Sequence, residues 1–134
     1  MRTITQIIIH CSATRESQPY TLSDIHRWHQ ARGWNGCGYH YVILLDGTIQ
    51  QGRTLEQVGA HCQGHNAHSI GICYIGGLDA RGQPADTRTP EQKDSLWALV
   101  KALRKRFPQA TVHGHHEFAP KSCPCFNVQE EFNL

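Results

Sequence analysis

The sequence predicts an α/β (α+β) domain, with a central mixed β-sheet flanked by helices. Three observations carry this expectation. Short, β-branched apolar runs stand before, between and after two amphipathic stretches. An Asp46-Gly47 pair between two apolar runs signals a hairpin, which an all-parallel sheet does not contain. The 134 residues, 39% apolar and 18% charged, suit one core, so a single domain is expected over 1–134.

The elements follow in chain order. Residues 5–10, "TQIIIH", read as a buried strand ending in a histidine, and "CSATRESQP" as a polar loop. "TLSDIHRWHQARGW" reads as a helix, with Ser23 as N-cap, Ile25, Trp28 and His29 on one face, and Gly33 as its stop. "YHYVILLDGTIQQGR" is the hairpin. Residues 52–68 lack any period and are rich in glycine and histidine, so a loop is expected there. "SIGICYIGG" is a second apolar strand, and "LDARGQPADTR" a surface loop. The clearest helix starts at Thr89: Thr89 as N-cap, Pro90 at the first helical position and Gln92 as capping-box residue. Leu96, Leu99, Val100, Leu103 and Phe107 form its apolar stripe, and Pro108 ends it. "ATVHGH" is a last strand, and a short helix closes the chain near Val128 to Phe132.

Composition excludes several functions. A net charge of +2 is too small for a nucleic-acid footprint, and the basic cluster from Lys101 to Arg106 reads as a solvated helix face. The N-terminus has only three consecutive apolar residues, so neither a signal peptide nor a membrane span is expected. The protein is therefore expected to be made in the cytoplasm as a monomer, without a membrane or nucleic-acid partner. Six cysteines, at 11, 37, 62, 73, 123 and 125, form no C-x-x-C array, which argues against a zinc ribbon. Free thiols are expected in the cytosol, although Cys37 and Cys62 could pair outside the cell.

Histidine is the unusual count, at ten. The segment "GHHEFAPKSCPCF" adds two histidines, a glutamate, a lysine and two cysteines within residues 114–126. Zinc takes imidazole nitrogen and thiolate sulfur, and a catalytic zinc keeps three protein ligands and an open position. One of His115 and His116, and one of Cys123 and Cys125, would serve, because neighbours on an extended chain point to opposite faces. His10, at the end of a buried strand, is the natural third ligand. "HHE" also matches half of a nucleobase-deaminase signature, but "KSCPCF" lacks its P-C-x-x-C and the gap is too short. His40 should point away from Tyr39 into the core or against a ligand. His61, His65 and His68 lie on the loop that could border a substrate groove.

Taken in order, the blocks "IIIHCSAT", "WHQARGW", "GYHYVILLDGTIQQGR", "VGAHCQGHNAHSIGICYIGG" and "HHEFAPKSCPCF" resemble the zinc-dependent N-acetylmuramoyl-L-alanine amidases of the phage-lysozyme and peptidoglycan-recognition-protein superfamily. The resemblance runs from about Ile7 to about Val128. It implies one Zn2+ held by His10, His115 and Cys123, with Tyr39 and Lys121 as the catalytic pair. It implies hydrolysis of the amide between N-acetylmuramic acid and L-alanine in peptidoglycan, by an enzyme that reaches the wall after release or export by another factor. His61 and Asn66 lie in a shared block and are expected to touch substrate. Glu117 and Cys125 receive no role. The alternative is a peptidoglycan-binding module without catalysis; members of that kind typically lack the cysteine ligand, which is present here as Cys123.

Overall fold

The computed structural model describes residues 2–132. Its strands are β1 (Gln6–Cys11), β2 (Thr14–Arg15), β3 (Tyr41–Ile43), β4 (Ile49–Gln51), β5 (Ser69–Tyr74), β6 (Gly77–Leu78) and β7 (Thr111–Gly114). The helices are α1 (Leu22–Ala31), α2 (Pro90–Arg106) and α3 (Val128–Glu131). Five strands make one mixed sheet in the order β4-β3-β5-β1-β7, while β2 and β6 form a small parallel ribbon. β1 pairs in parallel with β5 on one side and β7 on the other; β3 is parallel to β5 and antiparallel to β4. The hairpin turns at Asp46, whose carboxylate accepts the Thr48 N–H at 2.9 Å. No helix among the described residues is long and apolar enough to cross a membrane.

Period-two alternation divides the sheet into two faces. Ile7, Ile9 and Cys11 of β1, with Ile70, Ile72 and Tyr74 of β5, pack against Leu96, Val100 and Leu103 of α2. The opposite face joins Val42, Cys73 and Ile75 to Ile25 of α1. The central strands are buried on both sides, which is why they read as continuous apolar runs. α2 begins as the sequence predicts. The Thr89 hydroxyl accepts the Gln92 N–H at 3.1 Å, and the Gln92 side chain accepts the Thr89 N–H at 2.9 Å. The Gln92 amide also donates to the carbonyls of Ile43 and Ile75, pinning the helix start to the sheet.

Four local expectations change. The cap of α1 is Thr21, not Ser23: the Asp24 carboxylate accepts the Thr21 N–H at 2.8 Å, and Ser23 lies inside the first turn. Ile25 and His29 are buried, but Trp28 is 38% exposed and packs edge-on against Tyr20. β7 stops at Gly114, and His115–Glu117 form a 3-10 turn, so strand alternation does not separate His115 from His116. Finally, residues 78–88 are not wholly a surface loop. Arg88 is buried, its guanidinium meeting Asp86 at 2.9 Å and Glu131 at 2.5 Å, and lying 3.5 Å over the Phe126 ring. All six cysteines are free, so Cys37 and Cys62 do not pair. Cys37 packs instead with Ile25 and Val42.

The Arg88 cluster ties α3 and the segment before it to the rest of the chain. Burial raises the Asp86 carboxyl, but its hydrogen bonds to Arg88 outweigh this and hold it below its ordinary value. A depressed folded pKa means stability that is present above the unfolded value and lost as pH falls through the folded one. Arg88→Met should therefore lower stability by about 1–3 kcal/mol at neutral pH, the carboxylates being partly hydrated. Urea denaturation at several pH values should show this deficit shrinking below the usual carboxylate range.

Candidate metal centre

The register of β1 on β7 sets the site. Ile9 stands opposite Gly114, so the residues that follow, His10 in β1 and His115 just past the end of β7, meet at the sheet's carboxyl edge. Their Nδ1 atoms lie 3.1 Å apart, although 105 positions separate them in sequence. The chain after His115 loops out and returns: the His116 N–H donates to the Cys123 carbonyl at 2.8 Å. The Cys123 sulfur accepts the Cys11 N–H at 3.1 Å. One donor atom each from His10, His115 and Cys123 lies within 4.8 Å of the others, a group of metal-binding type among the described residues.

These donors fit a metal. Two imidazole lone pairs facing each other at 3.1 Å repel unless a proton or a cation lies between them. Tetrahedral zinc with bonds of about 2.0–2.1 Å to nitrogen would separate two such atoms by roughly 3.3 Å. Burial, followed by the neighbouring His61, His115 and Lys121, lowers the pKa of His10 well below its ordinary value. Burial and then Lys121 lower that of His115. Both rings are thus neutral at pH 7, the form that ligates. The other nearby thiols stay protonated. Cys11 is pushed far up, first by its hydrogen bond to Cys123 and then by burial. Cys125 is pushed up to about 12, chiefly by burial, and its Sγ donates to the Gly77 carbonyl at 3.3 Å.

Beside this centre lies a cleft of about 690 Å³, lined by Arg32, Trp34, Phe118 and Lys121 together with the buried His61 and His115. Lys121 is exposed in the cleft, close enough to lower the pKa of both ligand histidines. The Tyr39 ring lies beneath, 5.1 Å from the His10 ring. Burial, then the surrounding sulfurs of Cys73, Cys123, Cys11 and Cys37, raise the Tyr39 pKa well above normal. Its hydroxyl therefore keeps its proton at pH 7.

The loop histidines divide. His61 is buried; its Nδ1 lies 2.8 Å from His10 Nε2 and its Nε2 3.1 Å from the Ser69 hydroxyl. Burial, with His40 and His115 next, lowers its pKa to about 3. Asn66 lines the cleft, but its carboxamide oxygen accepts the N–H groups of His61 and Cys62. His65 stacks on Phe118 at 4.1 Å, and His68 meets the Thr3 carbonyl. His40 is fully buried, accepting the Gly71 N–H. Glu117 is a structural staple: its carboxylate accepts the Gly114 N–H at 2.7 Å and lies 2.9 Å from His113 Nδ1. The cleft-lining residues Arg32, Trp34 and Phe118 carried no sequence signal of their own, although all three stand in quoted blocks.

A family profile described as N-acetylmuramoyl-L-alanine amidase matches residues 1–126. The endolysin of Escherichia phage T7 is 42% identical over 123 residues, which cover 92% of this chain and 82% of that protein. The fold superposes on the N-acetylmuramoyl-L-alanine amidase LysC from Clostridium intestinale with a TM-score of 0.83 and 29% identity, covering 99% of this chain and 87% of that one. It also superposes on a variant of Drosophila PGRP-LB in complex with tracheal cytotoxin, with a TM-score of 0.79 and 26% identity over 92% of this chain and 76% of that one.

The donor set makes a spectroscopic prediction. Cobalt(II) added to the metal-free protein should give a thiolate-to-metal charge-transfer band at one equivalent. Cys123→Ala should lose the band while Cys125→Ala keeps it. A band that survives Cys123→Ala would reject this set of donors.

Proposed function

Because this chain belongs to the N-acetylmuramoyl-L-alanine amidase family, we infer that it hydrolyses the amide bond between N-acetylmuramic acid and L-alanine in peptidoglycan, using one zinc ion held by His10, His115 and Cys123. The observation that carries this reading is the convergence of those three donors beside a cleft that also presents Lys121. When bound, zinc supplies a Lewis acid for the scissile carbonyl and acidifies a water molecule.

The chain's own residues do the rest. Trp34 and Phe118 offer apolar ring faces to a sugar and a peptide backbone, while Arg32 and Lys121 offer positive charge to a carboxylate-bearing stem peptide. Asn66 lines the same cleft and would contact the ligand through its amide nitrogen, its oxygen being engaged by the His61 and Cys62 N–H groups. The Lys121 ammonium, in the cleft and close enough to lower the His115 pKa, would stabilise the negative charge that grows on the carbonyl oxygen as the amide is attacked. Tyr39, its ring 5.1 Å from that of His10, would donate a hydrogen bond from its protonated hydroxyl to orient the attacking oxygen. His10, near the end of β1, and His115, on the 3-10 turn that follows β7, are neutral and bring their Nδ1 atoms toward the same point. A module that only bound the wall would not need a cysteine sulfur, two neutral imidazoles and a lysine gathered at one site.

Mass spectrometry of purified cell walls digested by the protein should show stem peptides released with a free L-alanine amino terminus. Chelation to zero bound metal should abolish release, and zinc should restore it. Undiminished cleavage without metal would sink the reading. Lys121→Ala should lower kcat about 10²–10³-fold with zinc content unchanged. Tyr39→Phe should lower it about 10²-fold, again with zinc retained.

A further inference from the structure

We propose that His61 is a positioning residue for the metal: it holds His10 in the tautomer and ring orientation that expose Nδ1. The proposal rests on the zinc reading given above, and it moves His61 from substrate contact to the support of a ligand.

His10 Nδ1 faces His115, so a metal there requires the His10 proton to sit on Nε2. Among the described residues, His10 Nε2 meets the His61 Nδ1 at 2.8 Å, and the two rings meet edge-on, with centroids 4.9 Å apart and planes at 89°. His61 Nδ1 must then accept, which places the His61 proton on Nε2, facing the Ser69 hydroxyl at 3.1 Å. Ser69, His61 and His10 therefore change state together. In one state His10 Nδ1 carries a lone pair; in the other, reversing every bond covers it with a proton. Metal binding selects the first state, and an imidazole at position 61 can serve it because it accepts on one side and donates on the other.

The fold makes room for this ring and little else. A Cβ on Gly59 or on Gly71 would lie 2.6 Å from His61 ring carbons. Gly71 stands inside β5, where a glycine weakens a strand and marks a close approach. The Asn66 carboxamide oxygen fixes the backbone of His61 through its N–H at 3.0 Å. With both ring nitrogens engaged, His61 has no nitrogen left for a substrate.

Zinc affinity, measured by chelator competition, separates the possibilities. His61→Leu keeps the bulk but removes the acceptor, and it should bind zinc about 10–100-fold more weakly. His61→Asn places an oxygen acceptor near the former Nδ1 and should recover most of that loss. The d–d bands of the cobalt protein should shift in His61→Leu and return in His61→Asn. Histidine ¹⁵N NMR of the zinc-loaded wild type, which needs no variant to fold, should show His10 protonated at Nε2 and His61 unprotonated at Nδ1. A folded His61→Leu with wild-type zinc affinity, a change confined to KM, or a proton on His61 Nδ1 would overturn the positioning role alone. A wild type that takes up no zinc would overturn the metal reading and this proposal together.

Discussion

The parallel pairing of β1 with β7 is the constraint on which the site depends. Its register sets Ile9 against Gly114 and so delivers His10 and His115 to one point from opposite ends of the chain. A parallel pair needs a long crossover, and the second half of the chain supplies it through α2. The loop that follows is then closed by two hydrogen bonds from backbone N–H groups, His116 N–H to the Cys123 carbonyl and Cys11 N–H to the Cys123 sulfur. All three donors are thus referenced to the same central strand. Disturbing that strand would move every one of them at once.

The two faces of the sheet carry different work. The α2 face holds most of the apolar core and supplies stability. The other face holds His10, Tyr39, His61 and the cleft, and here the abundance of histidine finds its reason. Buried neutral imidazoles serve as acceptors for backbone N–H groups: His29 for Gly38 and His40 for Gly71. Burial, aided by nearby arginines, lowers both to about 4, so they add no charge to the interior at pH 7. Most histidines here hold the frame, and only His10 and His115 face the candidate metal position.

Local patterns that obey one rule were legible in the sequence. The Thr89-Pro90 helix start, the Asp46-Gly47 turn and the apolar strands all appear where periodicity and turn chemistry place them. His10 was legible as a strand end, whereas the choice between His115 and His116 came from family resemblance, not from alternation. The structure shows why alternation could not decide: the pair sits on a 3-10 turn. Other features depended on distant partners. Arg88 reads as loop polarity until Glu131 and Phe126 close over it. His61 reads as one of several loop histidines until Gly59, Gly71 and Ser69 surround its ring. Thr21 displaced Ser23 as the cap because Asp24 reaches back to its N–H, a three-residue relation that also occurs in the sequence and could have been read there.

X-ray absorption at the zinc edge, on protein loaded with one equivalent of zinc, tests the central claim most directly. It counts the atoms around the ion without reference to activity. Two imidazole nitrogens, one sulfur at about 2.3 Å and one further light atom are predicted. A shell with no sulfur, with two sulfurs, or with a single imidazole would contradict the account.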